Sequence, residues 1–82
     1  MNKPNVLWHL KEARAAIDEL IADMETDAEY DFGEFRVDIE HLYHHVNTAW
    51  NARDATQEST DACSEENFDR WRQFPQDIEI IS

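Results

Sequence analysis

Six acidic side chains lie close together in a short segment that contains no base. They are Asp23, Glu25, Asp27, Glu29, Asp31 and Glu34. Carboxylate oxygens are the ligands that hard cations such as Ca²⁺ prefer in proteins. The first of these acids fall at the end of a predicted helix, where negative charge opposes the helix dipole. We interpret the segment as either a calcium-binding turn or a solvated acidic loop.

The spacing of these acids resembles that of the EF-hand calcium loop. Counted from Asp23, they occupy positions 1, 3, 5, 7, 9 and 12, and Glu34 stands where the loop has its bidentate glutamate. The chain departs from the pattern at position 6, where Ala28 replaces the glycine of the sharp turn, and at position 8, which is Tyr30. The resemblance implies a calcium ion bound by residues at these six positions.

A second set of candidate metal ligands lies on one predicted helix. His41 and His45 are four residues apart, so both rings point to the same side of a helix, and Asp38 joins that side one turn earlier. Two imidazoles and a carboxylate suit zinc or a similar transition metal. The alternative is a polar flank whose histidines bond neighbouring carboxylates.

The residue types that could act as nucleophiles occur without the context that catalysis needs. Cys63 is flanked by acids, which disfavour a thiolate, and Gly33 is the only glycine, so no phosphate-binding glycine loop can form. We therefore predict a protein that has no catalytic activity and no cofactor. A single cysteine cannot form an internal disulfide, which fits a cytoplasmic protein.

Two stretches carry the apolar spacing of α-helices. The first holds Val6, Leu10, Ala13, Ile17, Leu20 and Met24, and the second holds Phe32, Phe35, Ile39, Leu42, Val46 and Ala49. Both sets repeat at intervals of three and four residues, which is typical of one side of a helix. Because the connection is short, the sequence predicts an all-α fold with an antiparallel helical hairpin over 3–25 and 32–53.

The rest of the chain is expected to pack on this hairpin as one small domain, 1–82. We predict a polar connector at 54–64, a third helix at 65–73 that Ser64 caps and Pro75 ends, and a tail at 75–82. Asn2 or Asn5 should cap the first helix. The predicted core contains Leu10, Ile17, Leu20, Ile21, Met24, Phe35, Ile39, Leu42, Val46 and Trp50.

Charge and aromatic content indicate a class of function. The net charge is −12, from 19 acids and 7 bases, which disfavours direct binding to nucleic acids or anionic membranes and favours basic protein partners. No apolar run is long enough for a signal peptide or a membrane span. We predict an interaction module that binds a basic protein or a second copy of itself through Trp8, Phe68, Trp71 and Phe74. An acidic mimic of nucleic acid is the further alternative.

Overall fold

Four helices make up the fold in the computed structural model, which describes residues 1–81. They are α1 (Lys3–Thr26), α2 (Phe32–Asn51), α3 (Gln57–Ala62) and α4 (Glu65–Trp71). The two long helices pack together as an antiparallel hairpin, and the described residues contain no β-strand. The predicted all-α fold with a helical hairpin is confirmed.

A side chain caps the start of α1, of α2 and of α4, and of the two candidates for α1 the cap is Asn2 and not Asn5. The side chain of Asn2 accepts a hydrogen bond from the Asn5 amide, and Asp31 does the same for the Glu34 amide. Ser64 caps α4 by accepting from the amide of Asn67. Such caps satisfy amides that have no partner within the helix, which is why these residues set the helix starts.

Hydrogen bonds hold both ends of the hairpin. At the open end, the Asn2 amide donates to the Arg53 carbonyl at 2.6 Å, and the Asn2 side-chain nitrogen donates to the Ala55 carbonyl at 3.1 Å. At the turn, the Tyr30 hydroxyl donates to Asp38 at 2.8 Å. These contacts fix how far α1 slides along α2, and therefore which residues meet between the helices.

The residues between the two helices are smaller than the core residues that the sequence predicts. Ala13, Leu20, Ala49 and Ala52 are buried there, together with His45. Alanines let two helix backbones approach closely, because they add little side-chain bulk at the contact.

The predicted core was therefore wrong at half of its positions. The exposed ones are Leu10, Ile17, Ile21, Met24 and Val46, whereas Phe35, Ile39, Leu42 and Trp50 are half-buried and Leu20 alone is buried. Both helices are rotated so that small residues face inward and most of the large aliphatic side chains face one side of the hairpin.

The C-terminal third of the chain packs on both long helices: α4 lies on α2, and α3 lies beside the start of α1. The predicted connector, 54–64, contains α3, which the sequence analysis did not predict; Thr56 caps it by accepting from the Ser59 amide. α4 is anchored where Asn51 donates to the Trp71 carbonyl at 2.8 Å and Asn47 donates to the Arg72 carbonyl at 3.1 Å. Within residues 1–81, no helix is long and apolar enough to cross a membrane.

Candidate functional site

One broad side of the hairpin is apolar and uncovered. We call it the open face; its residues are Leu7, Leu10, Ile17, Ile21 and Met24 of α1 and Phe35, Ile39, Leu42 and Val46 of α2. The five α1 side chains are between 40% and 55% exposed, and Val46 is 43% exposed. Contiguous apolar patches on the surface of a small domain commonly mark an interaction surface.

The open-face residues of α1 form one row and those of α2 form another, and we call these rows the two stripes. Helix geometry places both stripes on the same side of the hairpin. Successive residues turn by about 100° around a helix axis. Each stripe therefore lies roughly a quarter-turn from the buried residues through which its own helix contacts the other helix. Because α2 runs antiparallel to α1, a quarter-turn in the same rotational sense brings both stripes to one side. The open face is thus one continuous surface built from two helices.

The opposite side of the hairpin is occupied by α3 and α4. Trp8 lies beside Thr60 and Cys63 of the α3 region, and the Phe68 ring of α4 rests 4.9 Å from the His44 ring, centroid to centroid. A groove of about 790 Å³ runs between α2 and α4, past Phe68 and Phe74. The C-terminal helices therefore cover the more polar side and leave the apolar one uncovered.

The four predicted partner-binding aromatics have different surroundings. Trp8, Phe68 and Phe74 are exposed, whereas Trp71 is only 7% exposed and belongs to the core. Phe74 packs edge-on against Tyr43, with ring centroids 5.2 Å apart. None of these aromatics lies on the open face, so the partner-binding surface predicted from the sequence and the open face are two separate candidate surfaces.

All four histidines of the chain meet at the centre of the hairpin. Nδ1 of His9 lies 3.1 Å from Nδ1 of His45, so a neutral pair can share one hydrogen bond across the two helices. The ring centroids of His41 and His44 lie 4.8 and 4.9 Å from that of His45. His45 itself is buried, at 6% exposure.

Burial favours the neutral form of three of these histidines, His9, His44 and His45. It lowers the pKa of His45 to about 4, and the charges that His44, His41 and His9 would carry lower it further. The pKa of His9 and that of His44 are also lowered, in both cases mainly by burial. Only the Glu12 carboxylate acts on the His45 pKa in the opposite direction. The neutral histidines thus serve as packing and hydrogen-bonding groups between α1 and α2.

Local bonds engage several carboxylates of the acidic turn. Asp31 caps α2, Asp27 accepts from the Glu29 amide at 2.9 Å, and Asp38 accepts from Tyr30. Partial desolvation raises the pKa of Glu34, as do the nearby carboxylates of Asp27, Asp31, Asp38 and Asp23. The acids are thus close enough to repel one another at neutral pH.

No three His, Cys, Asp or Glu side chains converge within residues 1–81 in a way that could hold a metal ion. The histidine set also differs from the predicted one, because His45 pairs with His9 and Asp38 bonds Tyr30. The calcium and zinc sites stay hypotheses from sequence.

The calcium hypothesis has a direct test in solution. If the turn binds Ca²⁺, titration of ¹⁵N-labelled protein should shift the amides of residues 23–34 saturably, and Glu34→Gln should weaken binding by removing a charged ligand. Gln57→Glu, which adds one acid far from the turn, is the control for general charge effects. Identical weak titrations of the parent and Glu34→Gln would contradict the hypothesis.

Two features of the candidate site were not predicted from the sequence. His9 was not grouped with the other histidines, although His9, Ala13, Ala16 and Leu20 follow a helical spacing of 4, 3 and 4 residues. The open face was interpreted as a core because its residues are large and regularly spaced. A search for stripes of small residues, which favour close helix contacts, could have separated the two sides.

Comparison with known proteins identifies no relative: no family model, no curated protein and no solved structure matches the chain significantly.

Proposed function

We propose that this protein is a small helical interaction module that docks another protein surface on its open face. The observation that carries the proposal is the contrast between this face and the rest of the molecule. The stripe positions contain nine apolar residues and Arg14 but no acid, whereas the whole chain carries 19 acids. An apolar patch surrounded by charge is the usual composition of a protein–protein interface.

The shape of the face indicates what kind of surface it would accept. The α1 stripe, with Arg14 included, repeats at intervals of 3, 4, 3, 4 and 3 residues from Leu7 to Met24. This is the spacing of a coiled-coil seam, in which side chains of one helix insert between those of another. An amphipathic helix or a helix pair is therefore the complementary surface, with Arg14 able to reach an acid at the rim.

Site-specific photo-crosslinking tests the proposal. A photo-reactive phenylalanine analogue at position 17 lies on the open face, and the same analogue at Ala22 lies on the same helix but on its exposed outer side. We expect a discrete covalent adduct with a protein from position 17 and none from position 22, in cells that express the chain. Adducts of equal yield from both positions, or from neither, would contradict the proposal.

A further inference from the structure

We infer that the occupant of the open face is a second copy of this chain, so that two hairpins form an antiparallel four-helix bundle. The inference rests on the proposed function, because it names the partner for the same face. Three observations support it: the excess surface of the single chain, the symmetry of the stripes and the distribution of charge.

The single chain exposes more surface than a self-contained domain of its mass. Compact monomers of 9.7 kDa have an accessible surface of about 5,100 Å². This chain exposes 6399 Å², an excess of roughly 1,300 Å² over that expectation. A standard interface removes about 800 Å² from each partner, so pairing through one face would remove more than half of this excess.

The dimensions of the chain agree with this. Its Cα radius of gyration is 14.4 Å, whereas a compact domain of 82 residues has a radius of gyration of about 12 Å. The longest axis measures 43 Å and the shortest 22 Å. A flat, elongated hairpin with one apolar side becomes compact when a second hairpin covers that side, as in four-helix bundles.

The open face is self-complementary. A two-fold interface brings the same patch of both subunits together, and where the axis sets the two α1 helices against each other, the α1 stripe must fit its own reverse. The spacing of this stripe, 3, 4, 3, 4 and 3 residues from Leu7 to Met24, is the same in both directions, although the residue types are not. When two such stripes pair antiparallel, Arg14 of one copy faces Ile17 of the other, and the two guanidinium groups do not meet.

The net charge predicts a salt dependence of association that distinguishes a second copy from a basic partner. Each copy carries −12, so two copies repel through the acids around the face, although none lies within the stripes. Salt screens this repulsion, and self-association should therefore become tighter as salt is added. Binding of a basic partner to this acidic chain would weaken with salt instead.

Pairing also accounts for the sequence pattern. Eight of the ten residues that the sequence places in a core lie on the open face, namely all except Leu20 and Trp50. In the single chain they are exposed or half-buried, but two facing hairpins would bury them in a shared core. The pair would thus bury the large aliphatic residues that recur at regular helical spacing.

Sedimentation equilibrium of the purified chain tests the inference. From about 5 µM to about 500 µM, we expect the apparent mass to rise from 9.7 kDa towards twice that value. The dissociation constant should fall several-fold when NaCl is raised from about 0.05 M to about 0.5 M. A mass of one chain at every concentration, or association that weakens with salt, would overturn the inference.

A matched pair of variants assigns the association to the open face. Ile21→Glu places a charge in the interface of each copy and should raise the dissociation constant roughly 100-fold or more. Ala22→Glu adds the same charge at the next position, on the exposed outer side of α1, and should change it little. Because both side chains are exposed in the single chain, circular dichroism should show both variants folded.

The outcomes also separate this inference from the proposed function. If Ile21→Glu and Ala22→Glu dimerise equally well, the open face is not where the copies meet. If the chain is monomeric but position 17 crosslinks to a different protein, the inference that the occupant is a second copy is overturned. The proposed function is then still supported. A monomeric chain without any adduct would overturn both.

Discussion

Replacing Trp71 by alanine is expected to release α4 from the hairpin and to lower the free energy of unfolding by about 3–5 kcal/mol. Trp71 is the largest buried side chain of the structure, at 7% exposure. α4 has only seven residues, too few for a helix that is stable by itself, so its order depends on this anchor. Losing the anchor would also loosen the backbone bonds that Asn47 and Asn51 make to the end of α4.

Urea unfolding and amide hydrogen exchange measure this effect. Phe74→Ala is the control, because Phe74 is another aromatic of the same region but is 65% exposed, and its loss should cost less than about 1 kcal/mol. In Trp71→Ala, exchange protection should fall in α4 while α1 and α2 keep most of theirs. Equal stability losses in the two variants would show that Trp71 is not the anchor.

The sequence predicted α1, α2 and α4 and their starts correctly, because those features depend on local residues. Asn2, Asp31 and Ser64 each cap a helix through an amide three residues ahead, a contact that requires no tertiary information. α3 was missed because it has six residues, all but one of them polar, and no apolar periodicity. Its cap, Thr56, resembles many polar residues of the same stretch.

The rotation of the two helices could not be predicted in the same way. Each helix carries two usable stripes, one of small residues around Ala13 and Ala49 and one of large aliphatic residues around Ile17 and Val46. For an isolated hairpin, apolar periodicity favours the second stripe, but the structure buries the first. The choice depends on close backbone approach and on the contacts of Asn2 and His45 across the hairpin, which join residues far apart in the sequence.

The histidine cluster could likewise be predicted from the sequence only in part. His41 and His45 are related by helical spacing within α2, so their proximity was visible in the sequence. His9 reaches His45 only because the Asn2 contacts with Arg53 and Ala55 fix the position of α1 along α2. The result is a neutral histidine pair across the two helices, with His45 buried and His9 half-buried, which no spacing rule within one helix could indicate.

Acidification is expected to destabilise the hairpin through this cluster. The pKa of His45 is about 4 in the folded protein and about 6.5 in an unfolded chain, so the unfolded state takes up the proton first. The stabilising contribution of the neutral ring is therefore complete above pH 6.5 and is lost as the pH falls towards 4. His9 and His44, whose pKa values are also lowered, act in the same direction.

Glu34 has the opposite effect on the pH dependence of stability. The experiment must therefore separate its contribution from that of the histidines. Its pKa is raised in the folded protein, so its contribution is favourable at low pH and is lost as the pH rises through that pKa. Protonation of the other acids also reduces repulsion within a chain of net charge −12. The parent profile alone therefore mixes two trends, and a variant without the buried imidazole is needed.

His45→Gln should remove most of the histidine-dependent slope, because glutamine keeps a polar side chain in α2 but does not titrate in this range. Urea unfolding of the parent and the variant at matched protein concentration should show a difference in free energy that shrinks by about 2–3 kcal/mol from pH 7 to pH 4. His41→Gln, at an exposed position of the same helix, should keep most of the parent slope. Parallel profiles for the parent and His45→Gln would mean that the imidazole at the centre of the hairpin does not control its pH dependence. A convergence that is confined to His45→Gln would instead show that proton uptake by this ring destabilises the folded hairpin.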